Sequence, residues 1–440
     1  MQKRVGNVRW GIAVLLAVGI IINYFDRVNL SVGSKDIIKE FHFSGTEWGI
    51  ILSSYLWSYT LLQIPVGTLL DRVGVKWMIR VGTIIWAIAS FMTALVSGLG
   101  LIVLSRVLLG IGESPAFPGS SKATGYWFPV KERGLATSSF DAAAKFASAL
   151  GLPIVALAVA AAGWRAGFVM TGILSLLYAG AFFLFYRDPR ESKRVSQEER
   201  NYIVEGGAQQ EGAVPTNALA SLGFLLRQRK IWGLTLGFTA YNYSFNLFLV
   251  WLPTYLQQHL NVSVLNSGLY LIIPWLVATA TDIAIGGILV DRLIARGYDP
   301  TRVRKVLVTI GLLLGIAAAG ATFTTNVNVA IIWVTISLAG LAFAAPIAWS
   351  IPSLIAPKGT VGTVGSIMNC SGNLAGIVAP IVAGVVADTI GIALNFIITG
   401  TILLAGVCCF LFLLGKIEQI KIPPSEESAI LKTSSSTSVA

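Results

Sequence analysis

The feature that most restricts the fold of this chain is a series of twelve apolar segments, each about long enough to cross a membrane. A helix needs about 20 predominantly apolar residues to span the hydrocarbon core of a bilayer. Only 12% of the 440 residues are charged, against roughly a quarter in a soluble domain. We therefore predict an all-α integral membrane protein with twelve transmembrane helices. The segments fall at about residues 10–33, 47–70, 77–96, 99–121, 134–161 and 166–186, and then at 231–256, 265–290, 303–324, 327–350, 360–387 and 391–415.

The chain has a net charge of +11, and its basic residues concentrate in alternate connections between the segments. The intervening connections hold few beyond Lys35, Lys39 and Arg165. Basic connections normally lie in the cytoplasm, which places both termini there and requires an even number of spans. The charge thus indicates a multi-pass protein of the cell inner (plasma) membrane. Its expected macromolecular partner is the lipid bilayer, and no nucleic-acid partner is expected.

A polar stretch divides the twelve segments into six plus six. We predict an N-terminal six-helix bundle over residues 1–186 and a C-terminal six-helix bundle over residues 231–415. The cytoplasmic linker at 187–230 contains an amphipathic helix that opens at a capping box of Ser196 and Glu199. The polar tail at 416–440 is expected to be cytoplasmic and disordered.

Four ionisable residues fall inside the first and fourth predicted membrane helices: Asp26 and Arg27 in the first, Arg106 and Glu113 in the fourth. An ion in the bilayer costs at least ~2.5–3.5 kcal/mol, so such residues normally face a bundle interior or a wet cavity. Arg106 and Glu113 are close to two helical turns apart and therefore share one helix face. Arginine binds carboxylates through a planar fork that stays charged. These residues indicate a site for an organic carboxylate, and an ion pair that locks two helices is the alternative for Arg106.

A short motif follows the second segment and returns, in degenerate form, after the eighth: GTLLDRVGVK and GILVDRLIAR. It resembles the signature of the major facilitator superfamily. Three longer stretches, NYFDRVNLSV, SSYLWSYTLLQIPVG and RVLLGIGESPAFPGSSKATGYWFPVKERG, resemble the anion:cation symporter branch, which includes bacterial carriers of galactonate, glucarate, hexuronates and phthalate. The motif residues, expected to act in conformational change, are Gly67, Asp71, Arg72, Gly74 and Lys76 in the first copy and Asp291 and Arg292 in the second.

The resemblance implies proton-coupled symport of a small organic anion, such as a sugar acid, by alternating access of two bundles. By position, Arg27 matches the residue that engages the substrate carboxylate. Asp26 and Glu113 match the acids that carry coupling protons, and Arg106 matches the arginine that partners the glutamate. A salt bridge to a neighbouring arginine is the alternative for Asp26. Further substrate contacts are implied at Tyr24, Tyr59, Trp349 and Asn369, with packing as the alternative for Trp349.

The fifth and eighth segments depart from the family pattern. Asp141 and Lys145 are four residues apart, beside the position, Ala144, where sugar-acid carriers have a substrate-binding glutamine. Two interpretations stay open: a local ion pair, or a Lys145 that binds a second acidic group of the substrate. Asp282 in the eighth segment either faces a cavity or pairs with an arginine on the cytoplasmic side. In the tenth segment, Pro346 and Ala348 replace hydroxyl residues of galactonate-like carriers.

The sequence does not support an enzyme. His42 and His259 have no metal-ligand neighbours, and there is no phosphate-binding glycine loop, so neither a metal nor a cofactor is expected. Transport would then be secondary and driven by a proton gradient, with sodium coupling left open. Two other functions stay open: a drug/proton antiporter of the same fold, which two arginines in the cavity disfavour, and a non-transporting nutrient sensor. A functional monomer is expected.

Overall fold

The computed structural model describes residues 6–209, 218–258, 264–389 and 394–423. Throughout these ranges the chain is helical and contains no β-strand. The predictions for His259 and for the tail beyond residue 423 lie outside the described ranges, as does part of the linker, 210–217. We number the membrane-crossing helices α1 to α12 in chain order.

The first half runs through six of these helices, several of them interrupted. Their bounds are Val8–Val32 for α1, Gly45–Leu61 and Gln63–Val73 for α2, Val75–Leu95 for α3, Leu99–Glu113 and Ala116–Trp127 for α4, Arg133–Ala162 for α5 and Trp164–Phe185 for α6. A short helix, Ser34–Phe41, follows α1, and Gln197–Glu205 and Ala218–Leu226 lie between the halves.

The second half repeats this arrangement. Its helices are Arg229–Gln258 for α7, Val264–Thr281, Asp282–Leu289 and Val290–Ala295 for α8, Pro300–Gly315 and Ile316–Phe323 for α9, Val327–Ser350 for α10, Val361–Thr389 for α11, and Leu394–Cys408 and Cys409–Leu413 for α12. A short helix, Pro352–Ile355, follows α10. The middle part of α8 and the last part of α12 are π-helical, and the last part of α9 is a 3₁₀-helix.

Within the described ranges, nine helices are long and apolar enough to cross a membrane by themselves. The other three, α2, α5 and α7, depart for local reasons. Helix α2 breaks at Leu62, and α5 bends by 42° near Pro153. Helix α7 carries a polar run from Tyr241 to Asn246. Interruptions and polar residues of this kind are tolerated where a membrane helix faces a protein interior or a cavity rather than lipid.

The basic connections meet at one end of the molecule, which we call the basic end. At the start of α1, Arg9 forms ion pairs with Glu132, before α5, at 2.7 Å and with Glu199 of the linker helix at 3.1 Å. Ser196 caps the linker helix Gln197–Glu205, and its hydroxyl accepts the Glu199 backbone N–H at 3.1 Å. Only this half of the predicted capping box forms, because the Glu199 carboxylate pairs with Arg9 instead. Near the C-terminus, the Ile420 N–H donates to the Ile355 carbonyl at 2.8 Å.

The two copies of the repeated motif join the bundles at the basic end. Asp71, at the end of α2, accepts the backbone N–H groups of Gly362 and Thr363 at the start of α11, at 2.8 and 2.7 Å. Asp291, near the end of α8, accepts those of Gly134 and Leu135 at the start of α5, at 2.9 and 2.7 Å. Each aspartate thus bonds the free N–H groups at the first turn of a helix in the opposite bundle.

Two glycines of the motif are required by the backbone. A Cβ on Gly67 would lie 2.8 Å from the Gly362 carbonyl oxygen, so glycine permits the close approach of α2 to α11. Gly74 joins α2 to α3 with φ of +87°, a conformation that side chains with a Cβ rarely adopt. The neighbouring Lys122 of α4 donates to the Asp71 carboxylate at 2.7 Å and completes the contact.

Candidate functional site

A cavity of about 440 Å³ lies between the two bundles. Helices α1, α2, α4 and α5 line one side, and α7, α10 and α11 line the other. The structure places in its wall all six residues that the sequence predicts to contact substrate: Tyr24, Arg27, Tyr59, Lys145, Trp349 and Asn369. Tyr241, Asn242 and Asn246 of α7 line it too, whereas Tyr243 packs against Ala375 and Ala379 in a separate apolar cluster.

Arg27 of α1 is the main cationic group of the cavity wall. Its guanidinium carbon lies 4.8, 5.3 and 5.0 Å from the ring centroids of Tyr24, Tyr55 and Tyr59. Its Nε is 3.4 Å from a carboxylate oxygen of Glu113, while its Nη2 is buried and has no hydrogen-bond partner among the described residues. Guanidinium has five N–H donors, so this arrangement leaves donors for an incoming anion.

Glu113 lies directly behind Arg27, fully buried, at the end of the first part of α4. The Tyr55 hydroxyl donates to its Oε2 at 2.7 Å, and its Oε1 is unpaired within the described ranges. This contact depends on Gly110, one turn earlier, because a Cβ there would lie 2.5 Å from the Tyr55 carbonyl oxygen of α2. Tyr55 was not predicted to be a site residue, although it precedes Tyr59 by one helical turn on the same face.

The partner of Glu113 differs from the expectation. The resemblance implied that Arg106 pairs with Glu113, but the ion pair that forms is with Arg27. Arg106 is buried deeper in the N-terminal bundle, beside the Phe168 ring at 5.8 Å, and does not line the cavity. The physical reason is that two helical turns separate Arg106 from Glu113 along one helix, whereas Arg27 reaches across from α1.

Asp26 lies away from the cavity, although Arg27 follows it directly. It is fully buried and accepts hydrogen bonds from Ser90 of α3 at 2.7 Å and Ser175 of α6 at 3.3 Å. Successive residues of an α-helix are about 100° apart, which turns Asp26 into the bundle and Arg27 toward the cavity. The predicted site therefore has two layers: Arg27 with its tyrosines in the wall, and Asp26, Arg106 and Glu113 buried behind it.

Aromatic rings form the part of the cavity wall where α10 meets the N-terminal bundle. The Trp349 ring centroid lies 5.4, 6.5 and 5.3 Å from those of Phe117, Phe140 and Phe238. The Ser121 hydroxyl donates to the Trp349 carbonyl at 3.0 Å, which ties α10 to α4. Trp349 lies one residue before the end of α10. At the basic end, Asp71 and Asp291 each hydrogen-bond to a helix of the opposite bundle. Contacts between the bundles thus extend from the aromatic cluster to the basic end.

Asn369 of α11 contacts α2 directly. Its side-chain amide donates to Gln63 at 3.0 Å and to the Tyr59 hydroxyl at 3.4 Å. Tyr59 in turn is stacked on Tyr55, with ring centroids 5.4 Å apart. A chain of polar and aromatic contacts therefore links the C-terminal bundle to Glu113.

Lys145 of α5 forms the local ion pair considered from sequence and a second ion pair that was not predicted. It forms the local ion pair with Asp141, and it also pairs with Asp282 of α8 at 2.8 Å, across the bundle interface. Asp282 therefore pairs with a lysine at the cavity wall and not with an arginine of the basic end. The sequence held one signal for this pair, since Lys145 lies 12 residues after the start of α5 and Asp282 lies 13 residues before the end of α8. Both are thus roughly 20 Å from the basic end.

Comparison with known proteins decides the family. The sequence profile of the Major Facilitator Superfamily matches residues 16–380, most of the chain. The chain belongs to this superfamily. It is 43% identical over 422 residues, covering 96% of this chain and 97% of the relative, to the uncharacterized transporter YybO of Bacillus subtilis (strain 168). It is also 31% identical over 439 residues, with coverages of 96% and 98%, to the probable galactarate/D-glucarate transporter GarP of Escherichia coli (strain K12).

The superfamily fold is confirmed by a solved structure, that of the proton:xylose symporter XylE bound to 6-bromo-6-deoxy-D-glucose. The match has a TM-score of 0.73 at 17% sequence identity and covers 93% of this chain and 96% of that one. The predicted all-α fold of two six-helix bundles and the predicted resemblance to anion:cation symporters are confirmed. The chain is a multi-pass membrane transporter, and its relatives are transporters, not enzymes.

Proposed function

We propose that this transporter is a symporter that takes up a small organic carboxylate, such as a sugar acid, together with protons. The observation that carries the proposal is the Arg27 guanidinium, which lines the interbundle cavity and contacts Glu113 through its Nε. A second guanidinium nitrogen is buried and has no partner in the part of the chain that the structure describes. A carboxylate is the partner that matches a planar guanidinium fork. The similarity to GarP, a probable galactarate/D-glucarate transporter, agrees with a polyhydroxylated acid as substrate.

In this proposal the remaining wall residues orient the substrate. Tyr24, Tyr59 and Asn369 offer hydroxyl and amide groups to the substrate hydroxyls, and Trp349 offers an apolar surface to its carbon chain. Lys145 lines the same side of the cavity from α5 and would meet a second acidic group only after giving up one of its aspartate partners. Small-molecule sites commonly combine an apolar wall with a few well-placed polar groups in this way.

In this proposal, anion and proton transport are coupled because the substrate carboxylate and Glu113 compete for Arg27. When a substrate carboxylate binds Arg27, Glu113 loses its ionic partner while it stays fully buried. A buried carboxylate without a partner is costly, so it takes up a proton instead. Asp26 is the second proposed proton carrier, and Arg106 supplies a fixed positive charge to both acids from inside the bundle. No cofactor is needed, since the proton gradient drives uptake.

Alternating access would use the contacts at the basic end. We assign this end to the cytoplasm, so that both termini are cytoplasmic and the protein works as a monomer in the inner membrane. The bonds from Asp71 and Asp291 to the opposite bundles then hold the cytoplasmic side closed. The remaining motif residues would support this contact: Gly67 and Gly74 shape the backbone, and Arg72, Lys76 and Arg292 hold the loops at the membrane surface.

The test is uptake of labelled acids into proteoliposomes under an imposed inward proton gradient. The panel contains glucarate, galactarate, galactonate and an aromatic acid. A lipophilic cation under an outward proton gradient represents antiporter substrates, and a sodium gradient is a separate arm. We expect concentrative uptake of at least one acid under the proton gradient and none by Arg27→Gln. The control Arg165→Gln, which changes an exposed arginine paired with Glu40, is expected to transport normally. Uptake of the cation alone, or of no compound at all, would contradict the proposal.

A further inference from the structure

Three ionisable side chains form a closed group where the bundles meet in mid-membrane. Asp141 and Lys145 of α5 and Asp282 of α8 are 6, 2 and 0% exposed, and the single ammonium pairs with both carboxylates. We call this group the triad. If all three groups were ionised, the triad would carry one uncompensated negative charge in a medium where such a charge is very costly.

Among the residues that the structure describes, the surroundings of the triad supply no further cation for that charge. The titratable groups that face it are the neutral hydroxyls of Tyr24 on α1 and Tyr241 on α7. The Phe245 ring of α7 lies 5.9 Å from the Lys145 Nζ, and α10, which packs on α5, has no charged residue over Val327–Ser350. Arg27, on the same cavity wall, is already engaged by Glu113.

The two carboxyl groups are arranged to share a proton. Oδ2 of Asp282 accepts from Lys145, while its buried Oδ1 has no hydrogen-bond partner in the described part of the chain. Asp141 and Asp282 both accept from the same Lys145 ammonium, which holds the two carboxyl groups beside each other. One proton between them would satisfy the free oxygen and cancel the excess charge. The unpaired atom and the charge count thus point to the same ligand, a proton.

The triad also spans the surface along which the bundles move. Asp282 is the first residue of the π-helical part of α8, a distortion that often marks functional sites. On the same interface, the Ser138 hydroxyl of α5 donates to the Asp282 carbonyl at 3.0 Å. Asp141 and Lys145 lie on one helix and stay together, whereas Asp282 moves with the other bundle. Separation of α5 from α8 would therefore expose Asp282 to water as an ordinary carboxylic acid.

We propose that the triad is a further proton site, additional to Asp26 and Glu113. It holds one proton between Asp141 and Asp282 while the bundles are closed at the basic end, and it releases that proton to water when α5 and α8 part. The release of this proton during transport rests on the proposed proton symport, whereas its presence in the triad is independent of that proposal.

Infrared difference spectroscopy of the purified full-length protein in lipid nanodiscs tests for the proton. Either Asp282→Asn or Asp141→Asn leaves one carboxylate facing one ammonium. Both variants should therefore lose the carbonyl-stretch band of one protonated carboxylic acid at neutral pH. The matched control Ser138→Ala loosens the same helix contact without changing a charge and should keep the band. If these two variants instead lost the band of an ionised carboxylate and kept the band of the protonated acid, the proposal would be overturned.

The ratio of protons to anions moved into proteoliposomes tests the release step. It should fall by about one in Asp282→Asn and stay at the wild-type value in Ser138→Ala. An unchanged ratio in Asp282→Asn would overturn release by the triad while leaving the proposed symport intact. If the wild-type protein moved no protons with the anion, the proposed function would fail, and the infrared result would still decide whether the triad holds a proton.

Discussion

The Arg27 Nε lies 3.4 Å from the Glu113 Oε2, and this contact joins the wall of the cavity to the interior of the N-terminal bundle. Arg27 is the partly accessible partner, with 26% of its side chain exposed, and Glu113 is fully buried. One guanidinium therefore faces two competing carboxylates, that of the substrate and that of Glu113. Exchange between them is the physical basis of the coupling that we propose.

Replacing Arg27 by lysine tests the need for a planar fork. Arg27→Lys keeps the charge but loses the bidentate geometry, and a hydrogen bond to a charged group contributes ~1.5–3 kcal/mol. We expect the Kd for the transported acid to rise by roughly 10- to 100-fold, since each ~1.4 kcal/mol is a factor of ten. Calorimetric titration of the purified protein measures this. Binding as tight as in the wild type would show that Arg27 does not form a paired contact with the anion.

Gly110→Ala tests the close approach of α2 to α4. A Cβ at this position would lie 2.5 Å from the Tyr55 carbonyl oxygen and 2.9 Å from the Tyr59 backbone nitrogen, so the helices must move apart. We expect a loss of ~1–3 kcal/mol in stability, typical of overpacking, and weaker proton coupling as Tyr55 moves from Glu113. Gly100→Ala is the matched control on the same helix, because a Cβ there meets nothing within 4 Å. Stability is measured by thermal unfolding in detergent. Equal melting temperatures of the two variants would contradict this packing.

Asp71→Asn tests the bond between the bundles at the basic end. The carboxylate accepts from Lys122, from two backbone N–H groups of α11 and from the Thr363 hydroxyl, and an amide cannot replace all four bonds. We expect the equilibrium to shift toward opening at this end. Spin labels on the exposed positions Lys131 and Lys358 should then report a larger population at long distance. Glu40→Gln, which removes an exposed ion pair with Arg165 elsewhere in the protein, should leave the distance distribution unchanged.

Much of the fold and of the cavity wall could be predicted from the sequence. Twelve hydrophobic segments and a repeated Gly-Asp-Arg motif specify the superfamily fold, because a membrane helix must satisfy its own backbone hydrogen bonds. Arg27 and Tyr59 were predicted at the cavity because long local motifs carry them, and Asn369 because it matches a substrate-contact position of the family. The structure shows that these residues line the cavity wall, whereas their roles in binding the substrate stay predictions.

The remainder depends on contacts between distant segments. Glu113 pairs with Arg27 and not with the predicted Arg106 because of how α1 is placed against α4. No local sequence pattern contains the relative placement of these two helices. The same holds for the pair of Lys145 and Asp282, because its two helices belong to different bundles. Similar depth in the membrane was a signal for that pair, but depth alone does not say which helices are neighbours.

The measurement that tests the coupling most directly is accumulation of the transported acid by Glu113→Gln in proteoliposomes with an inward proton gradient. Glutamine keeps the shape of Glu113 but cannot release a proton, so the gradient should no longer drive uptake. The account predicts that the internal acid concentration stops at the external level, while exchange of labelled for unlabelled acid continues. Tyr55→Phe, which removes only the hydroxyl contact, should retain accumulation. Accumulation by Glu113→Gln at the wild-type level would contradict the account.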